Sequence, residues 1–465
     1  MRFFSASHKA LGALVTAIAL AACSAGGPSS SLPGAPLRAP QSASSSSPIK
    51  HVVLMIQENR TFNDFFATYP GADGTTTAAI AKDLACHIPH DETIPLRKSN
   101  LVVPHDLNHS YGGYSAAYDQ GKMDGFDRAV YQKSGHPECK YPYQYTDPSQ
   151  IQPYWHIAEQ YALAEHMFTT QGSSSFVAHQ DLIRGGTQID AVHALVNDPT
   201  GSPWGCDAPH GTQTSLITKD DVVEPNRGPF PCTNKFPRSY PYPTLRDLLD
   251  AKGVSWKFYV LPLNKNFGGL MTAFDVIAAV RNGPEWRTKV ITPQTRIFHD
   301  IARGKLADVS WVIPDEPDSD HPADPVDDGP SWVASVVNAI GRSKYWNTTA
   351  VIVVWDDWGG LYDNLPPRQV GFGGLGFRVP ALIISPYAKA GYISKTEYQF
   401  GSILRYIEDN WNLGRLGTSD AHSKSIADCF DYSQKPIKFK RILSSRSEAY
   451  FIHRPASGLP IDDDM

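Results

Sequence analysis

The chain of 465 residues predicts an α/β fold with a mainly parallel central β-sheet flanked by helices. Three observations carry that prediction. Short apolar, β-branched runs recur along the sequence. Segments with helical apolar spacing lie between them. One run, Ala350 to Trp355, is apolar throughout, as a strand covered on both faces must be. Strands that alternate with helices form parallel sheets, and such sheets place ligands beyond the carboxyl ends of their strands. The expected strands are His51 to Ile56, Val254 to Val260, Val309 to Ile313, Ala350 to Trp355 and Pro380 to Ser385. The expected helices begin with Pro153 to Ala164 and Pro243 to Lys252, the latter stopped by Gly253. Ser331 to Ser343 follows, with Val333, Val336, Val337 and Ile340 at helical spacing, and Tyr398 to Trp411 is the last. Residues 194–242 are dense in Gly, Pro, Asp and Cys and read as a loop-rich insertion.

The ends have a different character. Arg2 and Lys9 precede an apolar stretch, Ala10 to Ala22, that is too short to span a bilayer. Residues 1–22 therefore read as an export signal. The string Leu20-Ala21-Ala22-Cys23-Ser24 resembles a bacterial lipobox. That resemblance implies cleavage before Cys23, acylation of Cys23, and an outer-membrane lipoprotein facing the periplasm or the exterior. Residues 23–48 are rich in Ser and Pro and read as a tether that cannot fold alone. The catalytic region is expected over 49–440, with a C-terminal tail over 441–465. A formal net charge of -5 gives no reason to expect nucleic acid as a partner. Of six cysteines, five remain once Cys23 is set aside, so at least one thiol is unpaired within the chain. Cys206 with Cys232 is the first pairing expected in an exported protein, and Cys86 with Cys139 the second.

Chemistry concentrates at strand ends. The strand Ala350 to Trp355 delivers two adjacent carboxylates, Asp356 and Asp357, and then two glycines that permit a sharp turn. Ionised carboxylates are costly to desolvate, and a metal ion offsets that cost. The strand from His51 likewise runs straight into Glu58 and Asn59, which offer side-chain oxygens. Gly172 is followed by Ser173, Ser174 and Ser175 before an expected helix, whose N-terminus favours an alkoxide or a phosphate. His109 follows His105 in one polar segment, where His105 reads as structural. His321 lies in the acidic run Asp315 to Pro325, which lacks EF-hand spacing. Together these groups form a kit for phosphoester cleavage: a divalent metal of unknown identity, a hydroxyl nucleophile, and a histidine to protonate the leaving group.

The strings His51 to Phe65, Asp106 to Phe126, Ser175 to Ile183, Asp320 to Pro322 and Trp355 to Pro367 resemble the bacterial phosphoesterase family. That family holds acid phosphatases and phospholipases C on the alkaline-phosphatase-like fold. The resemblance implies Glu58, Asn59, Asp356 and Asp357 as metal-site residues and His109 and His321 as active-site histidines. It implies Ser175 as a nucleophile that forms a phosphoseryl intermediate. Val177 stands where the family motif often has Pro, and the serine cluster blurs the register, so Ser174 is an alternative nucleophile. Asn364 stands where the family commonly has His. Because the region after the catalytic strings is short, an acid-phosphatase-like phosphomonoesterase is the first expectation and a phospholipase C the second. A binding lipoprotein that has kept the fold without activity is the alternative from another class. No Cys-x-Pro-x-Arg string occurs, which argues against a sulfatase.

Overall fold

The computed structural model describes residues 47–131, 134–137, 139–262, 271–323 and 326–459. The export signal, Cys23 and nearly all of the tether lie outside the described residues.

The core is an eight-stranded sheet. In chain order its strands are β1 (His51–Gln57), β2 (Ala162–Ala164), β3 (Trp256–Tyr259), β4 (Val290–Ile291), β5 (Val309–Val312), β6 (Thr349–Trp355), β7 (Ala381–Ile384) and β8 (Tyr392–Ser394). They lie side by side as β4-β3-β5-β1-β6-β7-β2-β8. The run from β4 to β6 is parallel, and β7 is antiparallel to both of its neighbours. At the centre, β1 pairs with β6 from His51 opposite Thr349 to Gln57 opposite Trp355. Every residue of β6 is buried, as its unbroken apolar sequence requires.

Seven helices matter below: α1 (Phe62–Phe66), α2 (Gln152–Gln160), α3 (Ser175–Arg184), α4 (Leu245–Lys252), α5 (Gly329–Gly341), α6 (Phe400–Trp411) and α7 (Glu448–His453). Six of them pack as two groups, α2 with α5 and α7, and α3 with α4 and α6. Gly253 ends α4 in the left-handed region at φ 68, the conformation that a glycine cap supplies cheaply.

Three expectations are corrected. The helix from Pro153 stops at Gln160, because Ala162-Leu163-Ala164 joins the sheet as β2; a short apolar run looks alike in both states. The helix expected from Tyr398 starts at Phe400, since Tyr398 and Gln399 pair in parallel with Met167 and Phe168. The segment from 194 to 242 is more ordered than a loop. Its Ser215–Thr218 and Val223–Glu224 strands join His193–Val196 in a three-stranded antiparallel sheet. Disulfides join Cys206 to Cys232 and Cys86 to Cys139. Cys429 is a free thiol, and burial pushes it up to about 12, which makes it unreactive.

Within residues 441–459 the chain packs against the core. Phe451 of α7 is buried and meets the Trp332 ring edge-on at 5.4 Å. Arg454 forms an ion pair with Asp318, in the turn that leads to His321.

Burial of Glu408 on α6, beside Asp420, pushes its carboxyl up to about 8. A carboxyl raised on folding stabilises the native state fully below its unfolded value and loses that contribution as pH rises through the folded value. Glu408→Gln should therefore become more favourable relative to wild type between pH 5 and pH 8.5, a window set from those two values. Thermal unfolding across that range checks this; a difference in melting temperature that does not move with pH contradicts it.

Candidate active site

The site forms where β1 and β6 end side by side. After Gln57 the chain turns through Glu58 and Asn59, and after Trp355 through Asp356 and Asp357. The ladder continues past the strands, with Asp356 N–H donating to Gln57 O at 2.9 Å. Asn59 then adopts a left-handed φ of 55, which Asn tolerates better than most residues. Its N–H donates to Asp356 Oδ1 at 3.0 Å, locking the two strand ends together. Gly359 and Gly360 have φ of 57 and 72, and a Cβ on either would collide, with Asn59 O and with Leu107 Cβ respectively. The tight turn after the paired aspartates thus needs both glycines.

Helix α3 approaches these ends with its N-terminus. All ten of its residues are buried. Ser174 is the N-cap residue, yet its Oγ donates to Asp198 Oδ1 at 2.9 Å. The same carboxylate oxygen accepts from Phe176 N–H at 3.2 Å, so Asp198 caps the helix. Ser173 Oγ accepts from Asn197 N–H at 2.8 Å. Ser175 Oγ instead faces the strand ends and donates toward Asp357 Oδ2 at 3.1 Å, with Asn59 Oδ1 at 3.4 Å.

Sequence reasoning passed over His179. It lies four residues after Ser175, one helical turn along the same face, which is the signal that could have found it. Its Nε2 is 3.2 Å from Glu58 Oε1 and 3.7 Å from Asp356 Oδ2. One ligand atom from each of Glu58, His179 and Asp356 lies within 4.8 Å of the others. Asp356 Oδ2 is buried and accepts no hydrogen bond among the described residues. Two carboxylate oxygens and an imidazole nitrogen, held dry and close, suit a divalent cation. The residues present therefore fit a metal. Asn59 and Asp357 stand on the Ser175 side of this group.

His109 and His321 face the same asparagine. Asn59 Nδ2 lies 3.3 Å from His109 Nε2 and 3.0 Å from His321 Nε2. Each Nδ1 faces a backbone carbonyl, Leu107 O at 2.7 Å and Pro322 O at 2.6 Å. Carbonyls only accept, so Nδ1 carries the proton and Nε2 is left as an acceptor for the amide. His109 Nε2 is also 3.8 Å from Asp357 Oδ2. His321 is 5% exposed, whereas Glu58, Asn59, His109, Ser175, Asp356 and Asp357 are completely buried.

The remaining expected residues serve the frame. His105 packs against the rings of Tyr131 and Tyr141 at 4.4 and 5.4 Å. Asn364 Oδ1 accepts from Arg378, whose guanidinium is buried against Asp363. Its position next to that ion pair gives Asn364 a structural use.

A model of the phosphoesterase family matches residues 49–414, and the chain belongs to that family. Phospholipase C A of Mycobacterium tuberculosis is 24% identical, over 78% of this chain and 73% of its own length. Non-hemolytic phospholipase C of Pseudomonas aeruginosa is 23% identical over 78% and 54%. Non-specific phospholipase C3 of Arabidopsis thaliana is 25% identical over 75% and 65%. Among solved structures, a Vibrio parahaemolyticus protein of the alkaline phosphatase superfamily aligns over 60% of this chain and 65% of its own, at 12% identity and a TM-score of 0.33. That likeness is too distant to carry an argument. The family and these relatives make the chain a hydrolase acting on phosphoester bonds.

Gly359→Ala should cost about 1–3 kcal/mol of stability, from a strained φ and a clash with the Asn59 carbonyl. Denaturant unfolding measures it, and a loss below about 0.5 kcal/mol contradicts the account of the turn.

Proposed function

Proceeding from membership of that family, we propose that this chain hydrolyses phospholipid-type phosphodiesters through Ser175, in the manner of a phospholipase C. The observation that carries the reading is the hydrogen bond from Ser175 to Asp357, next in the chain to the Asp356 that closes the Glu58, His179 and Asp356 group at two strand ends. The names of the relatives favour the diester over the monoester expected from the short chain. A phosphomonoester is the second reading, supported by the burial of Ser175 and its neighbours, which suits a compact substrate.

Glu58, His179 and Asp356 would hold the divalent cation, with Asn59 and Asp357 beside it. When bound, the cation supplies positive charge against the phosphoryl oxygens. The chain's own groups do the rest. Ser175 Oγ attacks phosphorus as its proton passes to Asp357 Oδ2, its hydrogen-bond acceptor. The bond from phosphorus to the leaving oxygen breaks, and that oxygen takes a proton from Nε2 of His321 or His109 in its imidazolium form, in which that nitrogen donates to the leaving oxygen in place of accepting from the Asn59 amide. Water then attacks the phosphoserine and gives a proton to the same imidazole, while Asp357 returns the first proton to Ser175. The α3 N-terminus favours the negative charge that gathers at Ser175 throughout. Anchoring through Cys23 after export would place this chemistry at the cell envelope.

Ser175→Ala should lose turnover by two or more orders of magnitude, roughly 3 kcal/mol of transition-state stabilisation. Ser174→Ala should stay within about tenfold, because its hydroxyl is committed to Asp198. Acid-quenched protein should carry phosphate on the Ser175 peptide; label on Ser174 would reject the assignment. Turnover of p-nitrophenylphosphorylcholine above p-nitrophenyl phosphate supports the diester reading, and the reverse order selects the monoester.

Chelator should abolish turnover. Purified wild type should retain a divalent metal that His179→Ala loses while keeping its circular dichroism. Full metal content in the variant would remove His179 from the site.

A further inference from the structure

The chain carries a formal net charge of -5, yet cations gather around the C-terminal end of α5. Arg342 and Lys344 follow that helix directly, and the segment Lys438-Phe439-Lys440-Arg441 crosses its end. Packing fixes the crossing. Trp346 Nε1 donates to Ile437 O at 2.8 Å, and the Phe439 ring meets Trp346 edge-on at 5.1 Å. Phe439 also covers Gly341, where a Cβ would stand 2.3 Å from the ring. Asn338 of α5 then clamps Ile442, donating to its carbonyl at 2.8 Å and accepting from its N–H at 2.9 Å. With Phe439 and Ile442 turned inward, Lys438, Lys440 and Arg441 are exposed, as are Arg342 and Lys344. Among the described residues only Arg342 of these five has an acidic partner, Glu448 at 3.1 Å. Arg446 lines one cleft with Arg342 and Arg441, and Arg303 lines another with Arg342 and Lys344. The basic character therefore continues to either side.

Large aliphatic side chains protrude among these cations. Leu443 is 67% exposed and Ile452 is 46% exposed. Ile452 lines the same cleft as Arg342, Arg441 and Arg446, and Leu443 lies between Arg441 and Ser444 of that lining. Unpaired cations call for an anionic partner. Aliphatic groups standing among them call for one with an apolar layer beneath its charge, which an anionic bilayer surface has. A nucleic acid would satisfy the cations and leave Leu443 and Ile452 in water.

The tether read over residues 23–48 joins the described chain beside this face. Ser47 hydrogen-bonds the side chain of Tyr432, three residues before the exposed Lys435. Lys50 N–H donates to Thr348 O at 2.8 Å, four residues after Lys344. An acyl group on Cys23 would thus hold the basic face close to the membrane that it enters.

We infer that the face formed by Arg342, Lys344, Lys438, Lys440, Arg441 and Leu443 docks on an anionic phospholipid bilayer, independently of the chemistry at Ser175. The test is vesicle co-sedimentation of residues 23–465 carrying Cys23→Ser, so that no acyl chain contributes. The protein should bind phosphatidylcholine vesicles holding about 30% phosphatidylglycerol at low salt, and binding should fall away in about 0.5 M salt. Pure phosphatidylcholine vesicles should bind at least about tenfold more weakly. The combined variant Lys438→Glu, Lys440→Glu, Arg441→Glu should lose about tenfold or more in binding to the anionic vesicles. Leu443→Ser, which keeps the charge, should lose severalfold. Both variants should keep the circular dichroism of wild type and its turnover of a soluble p-nitrophenyl phosphoester. Lys440→Glu alone, at a fully solvated position, serves should the combined variant fail to fold, and should lose about threefold or more. Ser175→Ala should bind vesicles as wild type does. Equal binding to the two kinds of vesicle, or binding unchanged in the charge variants, overturns the inference. Loss of binding in Ser175→Ala also overturns it, by placing the lipid at the catalytic site. So does tighter binding to a short DNA duplex than to anionic vesicles at the same salt, which would give the face to a nucleic acid.

Discussion

The register of one strand pair governs the site. With Gln57 opposite Trp355, the next two residues of β1 and of β6 emerge level with each other. Neighbouring strands lie about 4.8 Å apart, so two backbones deliver Glu58, Asn59, Asp356 and Asp357 into a space a few ångströms across. A slip of one residue would turn every side chain of a strand to the opposite face. That slip is resisted along all of β6, where each residue is buried among apolar neighbours. The polar ends are therefore positioned by the apolar strands behind them. Sheet packing and chemistry are consecutive stretches of the same two segments.

A second constraint fixes the histidine on the far side. Asp320 has a left-handed φ of 73 immediately before His321. Such a conformation persists in a non-glycine residue only when its surroundings over-determine it. Here they do. Asp320 Oδ2 accepts from Tyr154 Oη at 2.6 Å, Trp355 Nε1 at 3.0 Å and Gln57 Nε2 at 3.2 Å. Arg60 Nε donates to Asp320 O at 2.7 Å. Burial raises the Asp320 carboxyl to about 6 against the lowering effect of these donors and of the Arg60 charge. Gln57 and Trp355 are the last residues of β1 and β6, so the pair that aligns the acids also holds the turn bearing His321. From the other side, Arg454 braces the same turn through Asp318.

Much of this was legible in the sequence, for identifiable reasons. The long central strands announced themselves because a strand covered on both faces must be apolar throughout. β4 and β8 did not, being two and three residues long and only partly buried. β2 was hidden because Ala162-Leu163-Ala164 continues an apolar helix pattern. At the site, Glu58 and Asp356 stood out as acids at strand ends. Their convergence depends on which strands are neighbours, and that follows from the topology of the whole sheet. His179 was not legible because a single histidine inside a helix carries no strand-end signal of its own, and only the fold brings it to Glu58. Asp198 lies in the insertion, where sequence offers no period to read. Its role as the cap of α3 needed the fold.

The serine cluster shows how such details decide chemistry. Three adjacent hydroxyls at a helix start are equivalent by composition and similar in distance from the helix dipole. Asp198 and Asn197 break the equivalence by engaging Ser174 and Ser173. Ser175 is left to face Asp357 and Asn59. Asn59 completes the selection because its amide has two ends. Its oxygen meets Ser175, and its nitrogen meets both His109 and His321, whose tautomers are set by backbone carbonyls. One amide thus joins Ser175 to both imidazoles, and its own orientation comes from a left-handed φ stabilised by the strand register.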